Sequence, residues 1–176
     1  MIKLIVCSLA MALALVFFSA SVLAEGSAYQ IELIIFSQAM PNTELLGQAA
    51  QPIHWPSGLT ELSAYKKPEN TSLDDSYAAL SKDPVYQPTL HIAWIQPVGD
   101  DGLSVPVHIQ DGNGMLNGYV QIQQDQGLHI MVDVEFSSHI GESVNYRLNE
   151  KQPIKFNEIY YLDHPKFGVV VKINPL

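Results

Sequence analysis

The chain has 176 residues, 47% of them hydrophobic, with 9 basic and 18 acidic side chains, a net charge of −9 and one cysteine. So few cations exclude a nucleic-acid binder, which must neutralise phosphates with Lys and Arg, and disfavour loose adhesion to anionic lipid. One cysteine excludes both a disulfide framework and a cysteine metal site.

The first element is not part of a fold. Met1-Ile2-Lys3 precedes an unbroken apolar run from Leu4 to Phe18, then small residues closing on Ser21-Val22-Leu23-Ala24. This pattern reads as a secretory signal peptide spanning 1–24. The run falls short of the roughly 20 residues of a membrane span, so no span is expected in the mature form. Cleavage leaves 25–176 as a single β-rich domain and removes Cys7, which leaves no junction cysteine to lipidate. It also removes Lys3, so the mature charge is 8 − 18 = −10. The expected location is the periplasm.

Tyr29 to Ser37 reads as an inner strand, because both of its alternating faces carry apolar residues. Residues 38–88 differ: they hold six of the eleven prolines and show no period of two. One short helix, 73–82, is expected there, with Ser72 as N-cap, acidic residues in the first turn and Pro84 as the stop. A weaker helical turn falls near 59–65. Irregular chain of this length inside a compact domain is often functional.

From Thr89 onward the chain alternates. Strands are expected at 89–96, 103–109, 114–123, 128–136, 143–149, 155–162 and 167–174, separated by Gly/Asp/Asn turns such as Asp111-Gly-Asn-Gly114. In one hairpin, a three-residue loop at Asp125-Gln126-Gly127 pairs Ile122 with Ile130 and Val120 with Val132, with Gly127 left-handed. Tyr119 then faces Asp133, and Gln123 faces His129, on a polar surface that is either solvated or a binding face. In a second hairpin, pairing Leu162 with Phe167 places Glu158 opposite Val171 on an apolar face. The expected fold is α+β: a mostly antiparallel, twisted sheet of about seven to eight strands with one short helix after the first strand. A right-handed crossover from the first strand to 89–96 would add one parallel pair.

Catalytic signatures are missing. There is no Gly-x-Ser-x-Gly elbow, phosphate loop or dinucleotide fingerprint. The six histidines, His54, His91, His108, His129, His139 and His164, lack the spacing that aims two imidazoles at one ion, so neither metal nor cofactor is expected. Asp163-His164-Pro165 reads as a turn, because neighbours on extended chain point to opposite sides. Glu158 is either an acid with a raised pKa, or a residue at an exposed edge or paired with a base such as Arg147. Trp94 alternates with Leu90 and Ile92 and reads as core. Trp55 either packs the irregular region onto the sheet or offers a flat ring to a sugar. The candidate ligand-binding residues are Trp55, Tyr119, His129, Asp133, Glu158, Asp163 and His164.

Four segments carry a resemblance. They are Tyr29-Gln-Ile-Glu-Leu-Ile-Ile-Phe36, Leu90-His-Ile-Ala-Trp-Ile-Gln-Pro97, Leu116-Asn-Gly-Tyr-Val120 with Leu128-His-Ile, and Glu158-Ile-Tyr-Tyr-Leu-Asp-His-Pro-Lys-Phe-Gly168. In that order, after a signal peptide, the chain resembles the CsiV family of periplasmic proteins of Gram-negative bacteria. The resemblance implies peptidoglycan binding and support of wall synthesis, with an outer-membrane lipoprotein activator and the class A penicillin-binding protein it serves as partners. It implies no catalytic residue. The family pattern is arginine-rich before the C-terminal hairpin, whereas Asn149–Lys155 here holds two lysines and no arginine. Lysine cannot reproduce a bidentate arginine clamp on a carboxylate. Two other functions stay open at this point: a protein adaptor without glycan contact, and a wall hydrolase using Glu158 or Asp163.

Overall fold

A computed structural model describes residues 28–39, 52–99, 101–137 and 145–176. The leader 1–24, His139, turn residue Asp100 and the first residues of the expected 143–149 strand lie outside them. Among the described residues nine strands form two sheets, where the sequence suggested one. They are β1 (Ala28–Gln38), β2 (Thr60–Glu61), β3 (Tyr86–Pro97), β4 (Val107–Gln110), β5 (Leu116–Gln124), β6 (Leu128–Ser137), β7 (Asn145–Ile154), β8 (Ile159–His164) and β9 (Phe167–Pro175). The helix α1 spans Asp74–Lys82, and a 3-10 turn covers Leu62–Ala64.

The first sheet has the order β3-β1-β9-β8 and the second β2-β4-β5-β6-β7. Their facing sides form one core. Tyr29, Ile31, Leu33, Ile35, Trp94 and Phe167 come from the first sheet; Ile109, Leu116, Ile122, Ile130, Val134 and Leu148 come from the second. Helix α1 covers the far side of the first sheet, where Ile34, Phe36 and Val170 meet Leu73, Leu80 and Tyr86. The first sheet is thus a middle layer. That explains why β1 is apolar on both faces, as its sequence anticipated.

The N-terminus of α1 is held by a residue from another element. Ser72 does not cap the helix; the N-cap position is Leu73, with no capping bond from its own side chain. The buried Glu32 carboxylate of β1 instead accepts from Ser72 N (2.7 Å), Ser72 Oγ (2.9 Å) and Leu73 N (3.0 Å). His91 Nε2 lies 2.8 Å from the same group. A buried carboxylate is tolerated when its lone pairs are filled in this way.

Three expectations about strand pairing change. β1 and β3 are antiparallel neighbours, not a crossover pair; the parallel pair is β2 with β4. β7 runs on through Pro153, which an edge strand tolerates, so β8 begins only at Ile159. Leu162 pairs with Val169, not Phe167, because the turn is tightened to Pro165-Lys166. A shift of two keeps every side chain on its face, but it takes Glu158 out of the strand. The β5–β6 hairpin has the expected register throughout, Ile122 on Ile130 and Val120 on Val132. Gly127, however, is not left-handed; the glycines with positive φ among the described residues are Gly58, Gly102 and Gly114. Asp125 does the turning, its Oδ1 accepting from Gln126 N at 2.5 Å.

Candidate functional site

Alternation along the second sheet sends one set of side chains away from the core. The strand registers align Glu61, His108, Tyr119, Asp133 and Asn149 in one row across five strands. A neighbouring row holds Gln110, Asn117, Glu135 and Arg147. This outer face is polar, and residues 52–55 lie across it.

Two contacts fix that segment. Arg147, the single arginine, sends Nε to Asp133 Oδ1 (2.6 Å) and Nη2 to Asp133 Oδ2 (2.7 Å). Its Nη1 donates to the Pro52 carbonyl at 3.0 Å. Asn149 Nδ2 adds a bond to Asp133 at 3.2 Å. The bidentate fork and the local low dielectric make this a strong pair, and hydrogen bonding to Asp133 raises the Arg147 pKa further. Beyond Pro52, Trp55 stands edge-on to His108 with ring centres 5.6 Å apart, and 6.3 Å from Tyr119. It stays 42% exposed. Trp55 therefore packs the irregular segment onto a sheet, the first of the two readings, and keeps part of its ring exposed.

Below Trp55 is an open pocket of about 470 Å³, lined by Glu61, His108, Gln110 and Asn117 among others. His108 spans it, Nδ1 lying 2.8 Å from Glu61 Oε1 and Nε2 2.8 Å from Asn117 Oδ1. Partial burial pulls the His108 pKa down, but the bonds with Asn117 and Glu61 and the Glu61 charge outweigh it, leaving it above the ordinary value. Tyr119 is also raised, first by burial and then by the Asp133 charge. The pocket floor depends on the Asp111–Gly114 turn, where Asp111 Oδ1 accepts from Met115 N and Leu116 N.

The structure thus brings Trp55, Tyr119 and Asp133 together, although Asp133 is buried and committed to Arg147. His129 shares the face but lies farther along β6, near Asp125 (3.8 Å). The other three candidates are elsewhere. Glu158 is exposed, as the edge reading had it and not on an apolar face, and its Oε2 accepts from Tyr160 Oη at 2.8 Å. Its nearest base is Lys155 at 3.8 Å, not Arg147. Asp163 Oδ1 accepts from Tyr161 Oη (2.6 Å) and Gln38 Nε2 (3.3 Å). His164 closes the turn itself, Nδ1 accepting from Lys166 N at 3.2 Å. Its ring sits against Phe167 and Tyr146, and burial lowers its pKa. Trp94 is core, 1% exposed.

Sequence reasoning missed Glu61, Gln110 and Asn117, and took His108 only as a lone histidine. The signal was there: Val107 and Ile109 alternate with His108 and Gln110, and the following turn folds Asn117 and Tyr119 beside them. One described trio, Glu32, Asp74 and His91, has ligand atoms within 4.8 Å of one another. The Glu32 oxygens there are already filled by the backbone ahead of α1.

A family model described as "Peptidoglycan-binding protein, CsiV" matches residues 59–176. The chain belongs to the CsiV family. The match covers the pocket from Leu59 to Asn117 and all strands from β2 onward, while Trp55 and β1 precede it. The family is one of peptidoglycan-binding proteins, in keeping with a place outside the cytoplasm. No helix among the described residues is long and apolar enough to cross a membrane. No curated protein and no solved structure matches the chain.

Proposed function

We propose that the protein is a non-catalytic, periplasmic peptidoglycan-binding protein that holds the wall on the outer face of its second sheet. The observation that carries this reading is Trp55, fixed over His108 and Tyr119 beside a polar open pocket yet 42% exposed. Flat rings flanked by amides and carboxylates suit saccharide-rich ligands. Export by the 1–24 leader delivers the domain to the wall. Support of wall synthesis runs through an outer-membrane lipoprotein activator of a class A penicillin-binding protein. No hydrolytic pair is part of the proposal: Glu158 and Asp163 bond to different tyrosines, Tyr160 and Tyr161.

The test is co-sedimentation with purified sacculi. The exported protein should pellet with them, and Trp55→Ala should remain in the supernatant while unfolding at the same temperature. Wild-type protein that never pellets at low or moderate salt would sink the reading.

A second reading is a protein adaptor with no direct glycan contact. It is favoured by the edge strand β8, which exposes Ile159 and Tyr161 side by side. With an acidic chain docking a basic partner, capture of the activator would weaken strongly with salt.

A further inference from the structure

We infer that the pocket beneath Trp55 takes the N-acetylated glycan strand of peptidoglycan and not its anionic stem peptides, an inference that rests on the binding face proposed above. The two halves of the polymer ask for different chemistry. The glycan offers apolar C–H faces, hydroxyls, and acetamido groups with one carbonyl acceptor and one N–H donor each. The stem peptides offer carboxylates, which are recognised by guanidinium or ammonium groups.

The pocket has what the first requires. Trp55 supplies an exposed ring, and its indole N–H is a donor. Asn117 lines the pocket with its Oδ1 engaged by His108 at 2.8 Å, so the donor capacity of the amide that a ligand could use is its Nδ2. Gln110, on the same wall, is exposed and brings a second amide with both donor and acceptor capacity. The pocket volume of about 470 Å³ lies in the range of clefts that hold small ligands, about 300–1,000 Å³.

It lacks what the second requires. Among the described residues lining it there is no lysine or arginine. Both His108 nitrogens are directed at Glu61 and Asn117. Arg147 is turned to Asp133 and the Pro52 carbonyl, and Lys151 to Gln123. Glu61, 61% exposed along its side chain, stands at the pocket edge and repels an incoming carboxylate. A chain of net charge −9 adds to that repulsion.

The experiment compares three probes with the exported protein: intact sacculi, glycan strands stripped of peptides by an amidase and then capped as methylamides at the lactyl carboxylates that hydrolysis frees, and free stem tripeptide as competitor. Stripped glycan should bind as well as intact sacculi, and tripeptide should not compete. Asn117→Asp keeps an acceptor for His108 but removes the donor, and should weaken stripped-glycan binding by about tenfold. Its thermal unfolding serves as the folding control. Trp55→Phe, which keeps a ring, should bind more tightly than Trp55→Ala. Binding to intact sacculi but not to stripped glycan, or displacement by tripeptide, would overturn the inference and leave the peptidoglycan reading standing. Failure to bind any of the three would remove both.

Discussion

Arg147 is the residue whose replacement tests the site most directly, because it joins the sheet to the segment carrying Trp55. Arg147→Lys keeps the charge but not the fork. An ammonium at that position reaches one of the three acceptors now engaged, Asp133 Oδ1, Asp133 Oδ2 or the Pro52 carbonyl. Charge-assisted bonds contribute about 1.5–3 kcal/mol each. Water replaces part of the loss, since the Arg147 side chain is 14% exposed, while Asp133 at 5% stays dry. The net cost should be about 2–3 kcal/mol. At about 2–4 °C per kcal/mol for a domain of this size, the melting temperature should fall by roughly 4–12 °C. Arg147→Ala should cost more, about 3–5 kcal/mol, because it strands a buried charge. Thermal unfolding followed by circular dichroism reads both. Sacculus binding, measured well below either transition, should fall for Arg147→Lys although the pocket residues are intact. A lysine variant with unchanged melting and unchanged binding would refute the argument that this fork seats Trp55.

Other outcomes follow from the same geometry. Glu32→Gln replaces one acceptor oxygen by an N–H group facing the Ser72 and Leu73 amides; it should cost about 3–5 kcal/mol in urea unfolding and free α1 first, seen as lost amide protection over 74–82. Gly118→Ala should destabilise by about 1–3 kcal/mol, since a Cβ there would sit 2.3 Å from Asp133 O and 2.5 Å from Val134 Cα, backbone atoms that cannot step aside. The histidines should give stability opposite pH limbs. His108 has a raised pKa, so its contribution is present below its unfolded value and is lost as pH rises through the higher folded value. With Glu61 largely exposed that limb should be shallow, under about 1 kcal/mol, and absent in His108→Gln. His164 has a lowered pKa, so stability should fall as pH drops below the ordinary histidine range, where the unfolded chain takes the proton first. His164→Gln should flatten that acid limb.

What could be read from the sequence followed the range of each interaction. The β5–β6 register was legible because three turn residues and two alternating apolar runs leave one pairing that keeps Ile122 and Ile130 on the same side. The β8–β9 register was off by two because alternation alone cannot distinguish shifts of that size; only the tight Pro165-Lys166 turn decides it. The split into two sheets was illegible, since nothing local in β1 says whether its second apolar face meets a helix or another sheet. The site was half-visible for the same reason. Tyr119 and Asp133 are opposite each other in one hairpin, but Trp55 comes from a distant segment held by the Arg147 bond to Pro52, and no local pattern encodes that contact. Glu158 was misplaced because it was read as part of a strand that in fact starts one residue later.

The position of β1 has a consequence for how such a protein is made. β1 is the second strand of a four-stranded layer, and one of its two partners is β9, at the far end of the described chain. The two ends are even stitched together, Leu176 N donating to Ala28 O at 3.0 Å. In an exported chain that emerges N-terminal side first, the most apolar strand of the domain would cross the membrane before either neighbour is available. One edge can pair once β3 (Tyr86–Pro97) has emerged, but the other would stay open until the final residues arrive. The middle layer therefore closes last, through contacts of long sequence separation that form slowly. During that interval the open edge of β1 is a template for wrong pairing, and loss of β9 alone would leave β1 and β8 without their shared neighbour.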